Sequence, residues 1–262
     1  YFDRPSGDVE AEVLGGVHLK WLHGKPYERN ISISRLINHA QLGIQFSRLG
    51  KREAQRPDVI VVSFPTIELA YTAMKYARTY ECPLLVDVRD LWPDIFVAQL
   101  PPPLRPFAKF ALWPYFAMTR SVMKCASAIL AVSQSYLDWA TRIAGRKPYA
   151  VDAVIPLGYE PANPGEEDRR EVAGYLQDSR QCLVAVFAGS FGRTYDLSTV
   201  IAAAKELHAA GNRTIFFVLC GTGEREAEWR RQAEGLANVK FTGLLSARRL
   251  AAVFEKADVG LA

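Results

Sequence analysis

Charged and aromatic residues are concentrated at the end of one apolar run, in the segment VDVRDLWPD at residues 86–94. Asp87, Arg89 and Asp90 lie where a buried strand would end, and unpaired charges there cost folding free energy. One interpretation is a structural ion-pair cluster. The other is a site that faces a substrate, because residues at the carboxyl ends of strands commonly bind ligands in α/β proteins.

A second candidate site lies in the segment AGSFGRTYDL at residues 188–197, where Gly189 and Gly192 follow an apolar run and precede a predicted helix. Glycines let the backbone approach a ligand closely, and the first turn of a helix has unpaired N–H groups that favour anions. Arg193 adds a positive charge, so this turn is suited to a phosphate or diphosphate. The alternative is a tight strand-to-helix turn with a solvated arginine, which recurs in α/β proteins.

Another glycine pair, Gly221 and Gly223, follows an apolar run and opens a helix in the segment LCGTGER at residues 219–225. The segment lacks the third glycine of a dinucleotide-binding fingerprint. It is interpreted either as a wall of the same ligand site or as a compact turn.

The stretch between Asp94 and Asp138 contains no acidic residue. When the stretch is projected as a single helix, its basic residues share an arc of about 100° with two aromatic residues. These six residues are Arg105, Lys109, Trp113, Phe116, Arg120 and Lys124. Basic and aromatic residues on one stripe suit an anionic membrane surface. The alternative is that the aromatic residues fill a core, and Pro114 interrupts the helix.

These segments need strands and helices to position them, and the sequence predicts both in alternation. Apolar runs of strand length lie at 59–63, 84–88, 128–133, 151–155, 183–188, 215–220, 239–242 and 259–262. Segments with helical periodicity lie at 66–80, 135–143, 197–210, 224–236 and 246–256. Strands buried on both faces and separated by helices are typical of parallel sheets.

A segment rich in proline and glycine, residues 156–165, interrupts the alternation and marks a domain boundary. We therefore expect an α/β protein with two Rossmann-like domains, residues 1–155 and 156–262, that face one another across a cleft. Residues 1–155 carry 19 Lys and Arg against 14 Asp and Glu, whereas residues 156–262 carry 13 against 14. The positive charge belongs to the first domain.

Composition excludes several functional classes. A net charge of +4 is too small to favour nucleic acid as a partner. The four cysteines are far apart and have no histidine at metal-ligand spacing, which argues against zinc and disulfides and favours a reducing compartment. The sequence has no P-loop, no Asp-x-Asp motif for a divalent cation, no signal peptide and no apolar run of membrane-spanning length.

Together these segments resemble family 4 glycosyltransferases of the GT-B fold, and more closely the branch that builds bacterial surface polysaccharides, such as colanic-acid and fucosamine transferases. In the first half, the resemblance is carried by YERN at 27–30 with Arg35, PDVI at 57–60, SFP at 63–65 and VDVRDLWPD at 86–94. In the second half, it is carried by VS at 132–133, IPLG at 155–158, residues 189–197, GTG at 221–223, NVKFTG at 238–243 and ADV at 257–259.

The resemblance implies a metal-independent transferase without a cofactor, which moves a sugar from a nucleotide-diphosphate donor to a lipid-linked or glycan acceptor with retention of configuration. The donor would lie on the second domain. The residues implied for it are Gly189, Gly192 and Arg193 at the diphosphate, Gly221 and Gly223 elsewhere in the donor site, and Gly243 and Leu244 near the base.

The first domain would hold the acceptor. Arg89 and Asp90, with Asp87 beside them, lie where many relatives place a His-Asp pair near the reacting carbon. The implied location is cytoplasmic, with peripheral contact at the inner face of the plasma membrane.

The sequence departs from the family pattern where relatives usually have a lysine shortly after the position of Arg193, because Tyr195 and Asp196 stand there. The family's acidic ribose-binding motif would fall beyond Ala262, and its first strands would precede Tyr1. We therefore expect a fragment that is inactive by itself. Two alternatives remain, a non-catalytic partner with the same fold and a two-domain Rossmann oxidoreductase, although the latter's glycine fingerprint is absent.

Overall fold

The computed structural model describes most of the chain, namely residues 10–14, 16–27, 33–53, 55–176, 179, 182–192 and 195–262. The chain divides into two compact units, Tyr1–Gly158 and Tyr159–Ala262. Among the described residues, no helix combines the length and the apolar character needed to cross a membrane.

The first unit contains a parallel sheet in the order β3-β4-β5-β6 and a separate antiparallel pair, β1-β2. Its strands are β1 (Glu10–Leu14), β2 (Val17–Lys20), β3 (Ile60–Phe64), β4 (Leu84–Val88), β5 (Ala128–Ala131) and β6 (Ala153–Val154). Its helices are α1 (Ile33–Gly50), α2 (Ile67–Tyr80), α3 (Asp94–Ala98), α4 (Arg105–Ala111), α5 (Trp113–Cys125) and α6 (Gln134–Ala144), with a 3₁₀ turn at Pro102–Leu104.

The core of the first unit forms around β4, whose Val86 and Val88 are fully buried. Small residues on the buried face of α2, including Ala70 and Ala73, belong to the same core. Because β3 ends only two residues before α2 begins, the amino end of this helix lies at the carboxyl edge of the sheet.

The second unit contains a parallel sheet in the order β10-β7-β8-β9. Its strands are β7 (Leu183–Ala188), β8 (Ile215–Cys220), β9 (Val239–Gly243) and β10 (Val259–Gly260). Its helices are α7 (Glu166–Tyr175), α8 (Leu197–Ala209), α9 (Glu226–Gln232) and α10 (Ala247–Phe254).

Side chains on the central strands of this sheet alternate between two cores. Val186 and Val218 pack in a cluster with residues of α7 and α10. Phe187 and Leu219, one position further along, pack in a cluster with residues of α8 and α9. Both faces of the sheet are therefore covered, which is why these strands read as continuous apolar runs.

The predicted α/β class with parallel sheets is confirmed, and each of the eight predicted strands is present. The projection of residues 105–124 onto one helix is wrong. Helix α4 ends before Leu112, and α5 starts anew at Trp113 with Pro114 in its first turn, where proline needs no hydrogen-bond donor. The sequence analysis also did not predict β1, β2, α1, α3 and α7.

A buried ion pair fixes the loop between α6 and β6. The Asp152 side chain is fully buried, and its carboxylate accepts two hydrogen bonds from the Arg146 guanidinium, at 2.6 and 3.1 Å. It also accepts from the backbone N–H groups of Ile129 and Tyr149. Burial alone would raise the pKa of Asp152, but the Arg146 and backbone hydrogen bonds lower it overall. The charged form is therefore part of the folded structure.

We predict that Asp152→Ala lowers the free energy of unfolding by about 3–5 kcal/mol, because it leaves the Arg146 charge buried without its partner. Glu255→Ala, which breaks the exposed ion pair between Arg169 and Glu255, is the control and should cost much less. Urea denaturation of both variants checks this. Equal losses of unfolding free energy in the two variants would show that the buried Arg146–Asp152 pair stabilises the fold no more than the exposed Arg169–Glu255 pair does.

Candidate functional site

Three turns meet at the carboxyl edge of the sheet in the second unit, after β7, β8 and β9. Backbone hydrogen bonds join them in sequence. Gly189 N–H donates to Cys220 O at 3.0 Å, and Gly221 N–H donates to Gly243 O at 2.9 Å. Phe191 N–H donates to Thr222 O at 2.9 Å, so the first two turns are joined twice. The result is one continuous edge made mainly of backbone.

Glycine is required in the middle turn because the turns touch backbone to backbone. A Cβ at Gly221 would lie 1.9 Å from the carbonyl oxygen of Gly189, and φ there is +147°. A Cβ at Gly223 would lie 2.6 Å from the carbonyl oxygen of Phe191. The compact-turn interpretation therefore explains why both glycines are present, whether or not a ligand binds beside them.

The remaining glycines of the edge are under less steric pressure. A Cβ at Gly192 would meet Ser190 Oγ at 3.6 Å, an ordinary contact, and one at Gly243 would meet nothing within 4 Å, although φ there is +73°. Leu244, next to Gly243, is 75% exposed. Sterics alone thus leave room for a ligand beside Gly192, Gly243 and Leu244.

Asp196, the residue before α8, caps the amino terminus of this helix. Asp196 accepts from the backbone N–H of Ser198 at 3.2 Å and from the Thr199 hydroxyl at 2.8 Å. The Thr199 hydrogen bond is the main reason why the pKa of Asp196 is lowered. A carboxylate therefore occupies the helix terminus at which the sequence predicted an anion. Arg193, the predicted phosphate ligand, lies outside the described residues.

The predicted charged cluster in the first unit is divided into two parts at the carboxyl end of β4. Arg89 Nε donates to Asp87 at 2.6 Å, so these two residues form an ion pair. Asp90 instead accepts from the indole Nε1 of Trp92 at 2.9 Å and from the backbone N–H of Leu91 at 2.8 Å. The Arg89 side chain is 54% exposed, whereas Asp90 is partly buried.

Trp92 is the centre of an aromatic and cationic stack that the sequence analysis did not predict in full. The Arg35 guanidinium lies 4.4 Å from the Trp92 ring centroid and 5.6 Å from that of Tyr27. The imidazole of His39 stacks on the same indole at 5.8 Å. Arg35 thus reaches the VDVRDLWPD segment and joins it to Tyr27.

Burial shifts the pKa values of two titratable groups at this stack, His39 and Glu68. Burial, and then the charge of Arg35, lower the pKa of His39, although Glu68 Oε2 lies 3.7 Å from its Nδ1. Burial raises the pKa of Glu68, against the effect of its hydrogen bonds, including one from Tyr115. Glu68 also borders a cavity of about 330 Å³ between α1, α2 and α5. Helical periodicity in residues 33–50 was the sequence signal that could have found His39.

The six residues predicted as a basic and aromatic stripe are divided between α4 and α5. Arg105, Lys109, Trp113, Arg120 and Lys124 are exposed, and Phe116 is partly buried. Arg105 donates to the carbonyl oxygens of Leu100 and Ala98 at 3.0 and 3.2 Å, so it also braces the turn before α4. In the part of the chain that the structure describes, no group of three or more acidic, histidine or cysteine side chains could hold a metal ion.

No protein-family model matches this sequence, and no curated protein is significantly similar to it. Its structure, however, is similar to several solved structures. HepE from Anabaena, in complex with UDP-glucose, is 16% identical, with a TM-score of 0.58 over 88% of this chain and 58% of HepE. Sucrose-phosphate synthase from Thermosynechococcus elongatus is 14% identical, with a TM-score of 0.69 over 98% of this chain and 62% of the synthase.

A third similar structure is WaaG, a glycosyltransferase involved in lipopolysaccharide biosynthesis, which is 13% identical, with a TM-score of 0.52 over 84% of this chain and 70% of WaaG. These neighbours are GT-B glycosyltransferases. The chain has the GT-B fold. It spans about three fifths of the length of HepE and of the synthase.

In this GT-B chain, Gly223→Ala should lower the free energy of unfolding by about 1–3 kcal/mol, because the added methyl group would collide with Phe191 backbone atoms that have no room to move. Gly192→Ala, whose methyl group makes only an ordinary contact, is the matched control and should change stability by less than about 0.5 kcal/mol. Urea denaturation distinguishes them. If Gly223→Ala left the free energy of unfolding unchanged, the turns would not be packed as described.

A second prediction concerns the buried carboxylate of Glu68. Because its folded pKa is raised above the ordinary 4.5, its ionisation destabilises the fold progressively as pH rises through the folded pKa. Glu68→Gln, which keeps an acceptor for Tyr115, should therefore be more stable than the wild type at pH 7, and the difference should disappear below pH 4.5.

Thermal unfolding across this pH range measures the effect, with the exposed Glu160→Gln as the control for loss of one negative charge. If Glu68→Gln is less stable at neutral pH, the carboxylate is stabilised by His39 more than it is penalised by burial.

Proposed function

We propose that this chain is part of a metal-independent, retaining glycosyltransferase that moves a sugar from a nucleotide-diphosphate donor to a lipid-linked or glycan acceptor. We further propose that it acts in bacterial surface polysaccharide synthesis, in the cytoplasm at the inner face of the plasma membrane. The GT-B fold supports the transferase activity, and HepE, which has this fold, was solved in complex with UDP-glucose. The colanic-acid and fucosamine transferase motifs support the pathway.

The observation that carries the proposal is the backbone edge formed by the three joined turns of the second unit. Its glycines let the backbone approach a ligand closely, and Arg193, which follows Gly192 in the sequence, supplies the positive charge that suits a diphosphate. We assign the donor to Gly189, Gly192, Arg193, Gly221 and Gly223, with the diphosphate against the first turn and Arg193, and the base to Gly243 and Leu244. Leu244 supports the second assignment because it exposes an apolar side chain beside this edge.

We assign the acceptor and the reacting sugar to the first unit, at Asp87, Arg89 and Asp90. In this assignment the half-exposed Arg89 guanidinium donates hydrogen bonds to sugar hydroxyl groups, while Asp87 holds its Nε. Asp90 accepts a hydrogen bond from the Trp92 indole, so we assign it the role of positioning Trp92 beside the site.

The cap on α8 favours a second candidate function, a non-catalytic partner that keeps the fold without donor binding. Asp196 places a negative charge at the helix terminus and uses the Ser198 N–H group that would otherwise be available to an anion. Diphosphate binding would then depend on the glycine turn and Arg193 alone.

Two substitutions with opposite expected effects distinguish these candidates. Arg193→Ala should weaken UDP or GDP binding by about 1.5–3 kcal/mol, the value of a charge-assisted hydrogen bond. Asp196→Asn keeps the helix cap but removes a charge that repels the diphosphate, so binding should become roughly two- to fivefold tighter.

Isothermal titration calorimetry of the full-length protein that contains this chain, with UDP, GDP and their sugars, measures both effects. Arg213→Ala, an exposed arginine of the same unit outside the assigned site, is the control for loss of positive charge. If no nucleotide binds to the wild type or to Asp196→Asn, the non-catalytic candidate is favoured and the donor site is wrong.

A further inference from the structure

The connection between β4 and α5 exposes a row of large apolar side chains. We call Leu104, Phe107, Phe110 and Trp113 the aromatic ridge. Their exposed fractions are 50%, 74%, 86% and 67%. Phe107 and Phe110, three residues apart in α4, are neighbours on the surface of that helix, whereas Leu104 ends the 3₁₀ turn before α4 and Trp113 begins α5. This row differs from the stripe predicted from sequence, which contained Phe116 in place of Leu104, Phe107 and Phe110.

The fold holds the helix that carries most of the ridge in a fixed position, although this helix does not pack against a core. None of the residues of α4 is buried, and its main contacts are with its neighbours in the chain, α3, the 3₁₀ turn and α5. Arg105 ties the start of α4 to the carbonyl oxygens of Ala98 and Leu100. The helix is therefore held in place although its apolar side chains cover no core.

Charge around the ridge is of one sign. Residues 95–137 contain no acidic side chain, and Lys109, Arg120 and Lys124 are all exposed. In the described chain none of these three takes part in an ion pair. Exposed phenylalanine and tryptophan side chains flanked by lysine and arginine bind the interface of an anionic bilayer. A second copy or a protein partner would not require the segment to be free of acids.

The position of the ridge relates it to the candidate acceptor site. The segment that carries it begins after the carboxyl end of β4, where Asp87 and Asp90 lie, and ends at the amino terminus of α5. Tyr115, in the first turn of α5, bonds Glu68 at the start of α2. The ridge therefore extends from the same edge of the sheet as the candidate acceptor site.

We infer that the aromatic ridge, with Lys109, Arg120 and Lys124, docks this chain on an anionic lipid bilayer by inserting Phe107, Phe110 and Trp113 into the interface. The inference rests on the proposed function only for its consequence, that a lipid-linked acceptor would meet the carboxyl edge of the first unit. Docking itself requires neither donor binding nor transfer.

Co-sedimentation with vesicles tests the inference, using phosphatidylcholine alone and phosphatidylcholine mixed with phosphatidylglycerol. The wild-type chain should bind the anionic vesicles, and binding should weaken as salt increases. The double variant Phe107→Ser with Phe110→Ser should bind at least about tenfold more weakly. Leu157→Ser with Tyr159→Ser is the matched control, because these side chains are 71% and 66% exposed elsewhere in the chain.

The charge requirement is tested separately. Replacement of Lys109, Arg120 and Lys124 by Gln should remove the preference for phosphatidylglycerol, because each basic residue near an anionic surface adds to binding. Replacement of the exposed residues Lys51, Arg78 and Arg142 by Gln is the control and should preserve it.

Three outcomes would overturn the inference. They are no binding of the wild type to anionic vesicles, equal binding by the ridge variant, and a dimer in sedimentation velocity that the ridge variant dissociates, which would make a second copy the occupant. Nucleotide binding is measured on the same samples and should not change in any ridge variant. Loss of nucleotide binding with intact vesicle binding would contradict the proposed function and leave the docking surface standing.

Discussion

Burial of the parallel sheets is the constraint on which the rest of the structure depends, and it is complete on both faces of β7 and β8 in the second unit, whereas Val61 on β3 of the first unit is 61% exposed. Val186 and Val218 point into one core of the second unit, while Phe187 and Leu219 point into the other. Polar groups have no place on such faces, so they are confined to the ends of the strands. At the carboxyl ends, the chain must turn directly into a helix, and the geometry of those turns decides which atoms are exposed there.

The two units meet this constraint in different ways. In the second unit, the turns pack backbone to backbone, and glycine is needed because any side chain at Gly221 would overlap a carbonyl group. In the first unit, side chains fill the edge, where Asp90 holds Trp92, and Arg35 and His39 stack on the indole. One edge is therefore built mainly of closely packed backbone, and the other is built of charged and aromatic side chains.

The strands and the location of both edges could be predicted from sequence because doubly buried strands leave an unambiguous pattern of apolar runs between helices. The interactions between side chains within these edges could not be predicted from sequence. The sequence analysis treated Asp87, Arg89 and Asp90 as one cluster. In the structure Asp90 instead accepts a hydrogen bond from the indole of Trp92, two residues away, and this pairing depends on the path of the turn. His39 lies in a segment without a recognisable motif, and only its packing against Trp92 relates it to the edge.

The row of exposed aromatic residues shows how one break in a helix changes the chemistry of a surface. A continuous helix through residues 105–124 would have placed Phe107 and Phe110 away from the basic stripe. Because α4 ends before Leu112 and α5 restarts at Trp113, α4 is released from the packing that buries Val122 and Met123 of α5. Proline in the first turn of α5 favours this restart, since its fixed φ suits that position and its missing N–H costs nothing there. The local preference of a proline for a helix start is thus what exposes two phenylalanines beside lysine.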